Sequence, residues 1–390
     1  MRRRMDARMV LGTAGHKQVV VPDQGMIDST NLMRKEVTMK RRLFVVVMAV
    51  SLLFAVVTGA YAAETIKLKF AAFFPVTHKF CGLNQQFCDE IKKRTDGRVE
   101  ITHYGGGTLA NAPKMFNSVL EGIADFGLAA AALTRGRFPM AEAFDAPMGF
   151  PSAWVASHVA NDTYEKFKPK EWDKVHVINL LTVGPAIPLC LKKPVRTMED
   201  LRGMKVRSVG RQADMVKALG ATPVAMDPAD MYEALRRAVL DGVVGPAEML
   251  QGWKLADLIK YVTVPKGFGN APLFYIVMNK EKWEKLPSDI QKIFDTVSLE
   301  FREKYAVGAQ ELDIEGIAAL KKNGGQVITL SDAEAKKWEQ AVAPVVADYK
   351  KELVSLGFKQ AEADSYVAFI KERTGYWAQQ EKERGIARAY

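Results

Sequence analysis

The sequence predicts an α/β protein of two lobes bridged by a long helix, and three observations carry that reading. Residues 66–128 alternate short apolar strands with helices, and residues 175–245 repeat the alternation as a second unit. A strand pattern at 274–278 then resumes the first unit after the second has intervened. The chain must therefore cross between the units at least twice, near Val183–Pro185 and near Pro272–Tyr275. Finally, a helical pattern runs from Pro287 to about Asn323 with no internal proline. That is roughly 50 Å of helix, long enough to lie across two lobes.

Each element has its own signal. Ile66-Lys67-Leu68-Lys69-Phe70-Ala71 alternates and reads as the first strand. Phe73-Phe74-Pro75 ends it, and Thr77 or its neighbour can cap a helix running to about Arg94. Asp96-Gly97-Arg98 is a turn before a second strand, Val99–Tyr104. The glycines at 105–107 make a tight strand-to-helix turn; no Gly-Lys-Ser/Thr follows, so they are not a phosphate-binding loop. Residues 111–121 read as helix and 124–128 as a short buried strand, which argues for a layered lobe with parallel pairing. After a Pro/Gly-rich stretch (138–151) come a helix and the strand Val175–Leu181. The second unit contains a helical turn at 197–201, a strand at 205–208 and a helix at 211–219 closed by Gly220. A strand at 222–224, a helix at 228–240 and a turn with strand at 241–245 complete it. Nearly everything beyond Pro287 reads as helix. The first lobe is thus expected over 63–183 and 274–310, the second over 184–273 and 311–365, and a C-terminal helical segment over 366–390.

Residues 39–62 read as a cleaved secretory signal. Lys40, Arg41 and Arg42 form the basic start, Leu43–Val57 is uncharged and apolar, and Ala60-Tyr61-Ala62 places cleavage after Ala62. The apolar run falls short of the roughly 20 residues a membrane span needs. The mature chain is therefore expected in a bacterial periplasm. Residues 1–38 have neither amphipathic period nor targeting pattern and read as a disordered upstream extension, with translation starting at Met39. Lys35-Glu36-Val37 can be encoded AAG-GAG-GTN, which spells a ribosome-binding site just ahead of the Met39 codon.

The formal charge of +10 first suggests an acidic partner. The first 62 residues hold ten Lys/Arg and four Asp/Glu, so +6 of it lies there and only +4 in the mature chain. No basic run interleaved with aromatics is present, which argues against nucleic acid. Cys81, Cys88 and Cys190 make no even disulfide framework. Cys81 and Cys88 fall about 10 Å apart along a helix axis, beyond disulfide reach. All three read as small buried apolar residues. His78, His103, His158 and His176 show no metal spacing and read as surface or satisfied core residues, so neither metal nor cofactor is expected.

Several segments together resemble the DctP family of substrate-binding proteins of TRAP (tripartite ATP-independent periplasmic) transporters, over essentially the whole mature chain. The most specific is Asp200-Leu201-Arg202-Gly203-Met204-Lys205-Val206-Arg207, similar to the family's D-L-x-G-x-K-x-R. Leu219-Gly220-Ala221-Thr222-Pro223-Val224, Met231-Tyr232-Glu233-Ala234-Leu235 and Asp241-Gly242 follow in the family's order and spacing. Gly105–Leu109 and Gly122–Phe126 match more weakly. The resemblance implies a two-lobed periplasmic-binding-protein-like fold that closes on an organic acid. It also implies a monomer without catalytic activity that delivers the acid to the membrane subunits of a TRAP permease.

Arg207 matches the family arginine that grips the ligand's carboxylate through two parallel hydrogen bonds. A planar guanidinium suits that geometry where lysine offers only a point charge. Phe73 and Phe74 follow the first strand, at the end where α/β lobes bind ligands; they either wall the ligand or pack in the hinge-side core. Asn270 falls in the family's cleft region, and Gly245, Pro246 and Glu248 follow the Asp241-Gly242 turn. Many members carry Q-E-N-P there, with the asparagine on the ligand; here Val243-Val244-Gly245-Pro246 removes that contact. Sialic-acid-binding relatives have a second arginine where this chain has the apolar Pro185-Ala186-Ile187-Pro188. Both departures point away from sialic acid and leave a small or apolar-tailed monoacid, a hydroxy or keto acid, or a sulfonate in play. Trp253 and Tyr275 either stack on the ligand or belong to the aromatic core.

Two alternatives remain at this level. The two-lobed architecture also serves ABC importers and sensor kinases. An exported hydrolase or lyase would need a nucleophile–base or metal constellation, and no G-x-S-x-G, zinc motif or paired-carboxylate signature is present.

Overall fold

The computed structural model describes residues 36–48, 64–185, 187–190, 192–265 and 267–390. Of the expected upstream extension and signal, it describes only helix α1 (36–48), whose apolar residues Leu43–Met48 are all more than half exposed. The cleavage site after Ala62 and residues 1–35 lie outside the described residues. Residues 64–390 form a compact unit separate from the one that holds α1. No helix among the described residues is long and apolar enough to cross a membrane.

The first lobe is a five-stranded sheet in the order β2-β1-β3-β10-β4. Strand β1 (Ile66–Ala72) lies parallel to β2 (Val99–Tyr104) and β3 (Phe126–Ala130), while β10 (Leu273–Asn279) runs antiparallel to β3 and to β4 (Val175–Thr182). Helices α2 (Lys79–Arg94), α3 (Met115–Leu120) and α4 (Ala153–Phe167) cover it. His78 caps α2 by accepting the Phe80 N–H, and Lys92, Lys93 and Arg94 complement the dipole at its other end. Cys81 and Cys88 are buried free thiols on this helix, their pKa values pushed up by burial to about 11 and about 12.

The second lobe is a six-stranded sheet in the order β11-β9-β5-β8-β6-β7, built of β5 (Ile187–Cys190), β6 (Lys205–Arg207), β7 (Thr222–Val224), β8 (Gly242–Gly245), β9 (Tyr261–Val264) and β11 (Gln326–Thr329). Its helices are α5 (Arg211–Ala218), α6 (Met231–Arg236) and α7 (Glu248–Gly252). Apolar clusters form on both of its faces. Strands β5, β9 and β11 carry no distinct sequence signal. Pro188 gives β5 no N–H for the ladder, and the other two are too short for period to declare them. The helix expected to reach 240 ends at Arg236. Ala238 takes a φ of 55°, and the Ala238 and Val239 N–H groups bond back to Leu235 and Ala234. That is a Schellman closure.

The chain passes between the sheets after β4, at 183–185, and before β10, at 267–272. Gly184 is required at the first crossing, because a Cβ there would lie 1.6 Å from the Asp313 carboxylate. Helix α8 (Lys280–Glu284) leads into α9 (Ser288–Lys322), which spans both cores. Phe294, Phe301, Tyr305 and Leu312 pack in the first, Ile317 and Leu320 in the second. At Gly316 it presses so closely on the second lobe that a Cβ would sit 1.9 Å from the Ala247 carbonyl oxygen. Helix α10 (Asp332–Ser355) also spans the lobes: Trp338, Val342 and Val345 pack in the second, Tyr349 and Leu353 in the first. Helix α11 (Gln360–Glu383) then packs on α4. The segment 311–365 is therefore divided between the cores rather than confined to the second lobe, because the one apolar stripe of α10 packs into the second lobe over its first half and into the first lobe over its second.

Candidate ligand-binding site

The carboxyl ends of β1, β3, β6 and β8 meet at a narrow cavity between the lobes, with about 50 Å³ of free space. Phe73, Ala130, Leu133 and Phe274 come from the first lobe; Arg207, Gln212, Gly245, Glu248 and Trp253 come from the second; Val183 and Pro272 come from the crossings. Ligand sites of α/β sheets lie at this end because the loops there leave the packed layers open.

Arg207, the last residue of β6, is 5% exposed. Its Nε and Nη2 donate to the Met226 carbonyl oxygen at 3.3 and 3.1 Å. It forms no ion pair among the described residues. Burial pushes its pKa down to about 10, opposed by nearby Asp227, so it remains charged at neutral pH. A buried cation with donors to spare in a narrow, mostly apolar cavity has the chemistry to accept one carboxylate.

Gln212 lies on the first turn of α5, 2% exposed and lining the same cavity, with no hydrogen bond to its amide among the described residues. Glu248 is committed instead. Phe80 N–H can only donate, so His78 Nδ1 accepts and Nε2 carries the proton to the Glu248 carboxylate at 2.9 Å. This buried pair ties the first lobe to the second, and the Glu248 N–H donates to Asp313 on α9. Apolar walls complete the cavity. The Phe73 ring lies 6.0 Å from Phe274 at an interplanar angle of 6°, and 5.9 Å from Trp253 at 31°.

Of the residues singled out from sequence, Arg207, Phe73, Gly245, Glu248 and Trp253 thus share one cavity. Phe74 and Asn270 do not line it. Phe74 is 1% exposed, stacked on His78 at 4.3 Å, and belongs to the core behind Phe73. Asn270 is fully buried and donates to the Asp145 carbonyl oxygen, so it ties a crossing to the first lobe. Tyr275 packs among Phe116, Phe138 and Trp172. Sequence reasoning missed Gln212 and Phe274. The signal for Gln212 was its place in the first turn after the strand that carries Arg207.

A second buried arginine stands beside the cavity. Arg211 bonds Glu142 of the first lobe at 3.0 Å and Glu352 of α10 at 2.8 Å, and its guanidinium lies over the Tyr349 ring at 4.6 Å. Asp145, 0% exposed, has no hydrogen-bond partner for either carboxylate oxygen among the described residues. Burial, with Glu142 adding to it, raises its pKa well above the usual carboxylate range.

Two α/β lobes that meet over an unpaired buried guanidinium define a binding protein for a small anionic solute. The profile of the family described as bacterial extracellular solute-binding protein, family 7 (DctP), matches residues 74–352, and the chain belongs to that family. It is 26% identical over 306 residues to a solute-binding protein of Albidiferax ferrireducens, a match that covers 72% of this chain and 88% of that one. The crystal structure of a TRAP periplasmic solute binding protein from Desulfovibrio salexigens, an open complex, superposes with a TM-score of 0.70 at 30% identity. It covers 83% of this chain and 98% of that one. A TRAP solute binding protein from Bordetella bronchiseptica with bound (R)- and (S)-mandelate gives a TM-score of 0.73 at 25% identity, with 80% and 99% covered.

Proposed function

We propose that the protein is exported, captures an organic acid between its lobes as a monomer, and hands it unchanged to the membrane subunits of a TRAP permease. The observation that carries this is Arg207. A buried guanidinium with only a backbone carbonyl as partner is unfavourable unless an anion joins it. The mandelate-bound relative supports the acid class. Sequence supports the export step: the basic start at Lys40–Arg42 and the small residues at Ala60 and Ala62.

A thermal-shift screen of organic acids tests binding, since ligand at about 100 times its Kd adds roughly 2.7 kcal/mol of stability. Recovery of the bound acid unaltered tests the absence of turnover. Light scattering tests the monomer, and N-terminal sequencing of protein from the periplasmic fraction should begin at Ala63. If no carboxylate or sulfonate raises the melting temperature, the reading fails. Small-angle scattering should show a smaller radius with acid bound, because the cavity draws on both lobes.

A further inference from the structure

Resting on that reading, we propose that the ligand is a monoanion with a compact, flat apolar body and one hydrogen-bonding group beside its acid. Aromatic and branched 2-hydroxy or 2-oxo acids are of this class, and Gln212 is the residue that selects the second group.

The polar inventory of the cavity sets the class. Among the described lining residues, Arg207, Gln212 and Glu248 are the side chains with polar heads, besides the Trp253 indole. Arg207 provides for one acid group. Glu248 is held by His78 and carries negative charge into the same space, so a second carboxylate has no cation to meet and a like charge to oppose it. Sugar acids fare no better. Their hydroxyls would be buried against Phe73, Val244, Pro246 and Phe274 without partners. The nearly parallel Phe73 and Phe274 rings, with Trp253 beside them, offer a flat wall suited to a planar body.

Gln212 supplies the second point of recognition. Its side chain makes no hydrogen bond among the described residues and lines the cavity five residues along the chain from Arg207. An amide both donates and accepts, so it matches a hydroxyl or a carbonyl equally well. The free space of about 50 Å³ is well below the roughly 150 Å³ that admits a benzene ring. An aromatic body of the proposed kind therefore requires the lobes to sit further apart than they do here, and a bulkier one further still.

Calorimetry on the purified chain with phenylacetate and mandelate isolates the Gln212 contact, because the two acids differ only in a 2-hydroxyl. Mandelate should bind about ten-fold tighter or better. In Gln212→Met the mandelate-to-phenylacetate ratio should fall to within about two-fold. Circular dichroism checks the fold; if the Met variant is unfolded, Gln212→Asn must still lower the ratio. An unchanged ratio in a folded variant overturns the role of Gln212. Tighter binding of succinate or gluconate than of mandelate overturns the ligand class. If no acid of any class binds, the proposed function itself falls, which is a separate result from either.

Discussion

Arg207 and Arg211 lie four residues apart in the second lobe, 5% and 3% exposed, yet the fold treats them oppositely. Arg211 is held by two carboxylates and an aromatic face; Arg207 has one carbonyl oxygen. The difference follows from which way each side chain leaves the β6–α5 connection. Arg211 points at the first lobe and α10, where Glu142 and Glu352 supply charge. Arg207 points into a cavity walled mostly by apolar side chains, where it makes no ion pair among the described residues: Asp227 is only nearby, and the Glu248 carboxylate that lines the same space is held by His78. One arginine serves the fold, and the other is the one proposed to meet a ligand.

The largest expected effect is on Arg211. Replacing it with Met leaves Glu142, 1% exposed, without its ion pair, and should destabilise the protein by about 3–5 kcal/mol. Urea denaturation measures this; a loss below about 1 kcal/mol would mean that the pair is not structural. Arg207→Ala should do the reverse, leaving stability unchanged or improved while acid binding falls by about 2–5 kcal/mol, on the order of thirty-fold to several-thousand-fold. Arg207→Lys keeps the charge and loses the fork, so calorimetry on the two variants separates the geometric from the Coulombic contribution. Near-native affinity in a folded Arg207→Ala protein would erase the distinction between the two arginines.

Asp145 gives a pH test at the same junction. Its folded pKa is raised above the unfolded value, so the native state prefers it protonated. The associated stability is fully present below the ordinary aspartate range and is lost as pH rises through the elevated folded pKa. Asp145→Asn mimics the protonated acid. It should raise stability at pH 8 by about 1–3 kcal/mol, with the gain vanishing towards pH 3; equal gains at both pH values would count against burial as the cause. The smallest effect belongs to Arg135, which pairs with Asp214 across the lobes with both side chains over a third exposed. Arg135→Ala should cost about 0.2–1 kcal/mol and less at high salt.

Legibility varied with how local the signal was. Strand β1, the Arg207 strand and the 35-residue α9 were readable because period and punctuation lie within each segment. Strands β9 and β11 pair with one another from positions more than sixty residues apart, and four residues leave too little pattern to declare a strand. In the site, Phe73 and Phe74 were equivalent in sequence. Opposite faces of one chain segment separated them, one to the cavity and one to the core. Asn270 looked like a ligand contact from its place before β10, but it does not line the cavity and its amide N–H is given to the Asp145 carbonyl oxygen.

By itself the sequence determined the family, the α/β class and the two crossings, and it singled out Arg207 as the candidate cation. Each rests on a short run of residues whose local chemistry allows few alternatives: a planar fork at a strand end, glycine where no Cβ fits, apolar period over a long helix. Tertiary structure alone decided which buried arginine is neutralised, that Glu248 is engaged by His78, and that Gln212 is left facing the cavity. Those are questions of which charges meet across residues as far apart as 78 and 248. Packing of the two lobes answers them, and no local pattern records it.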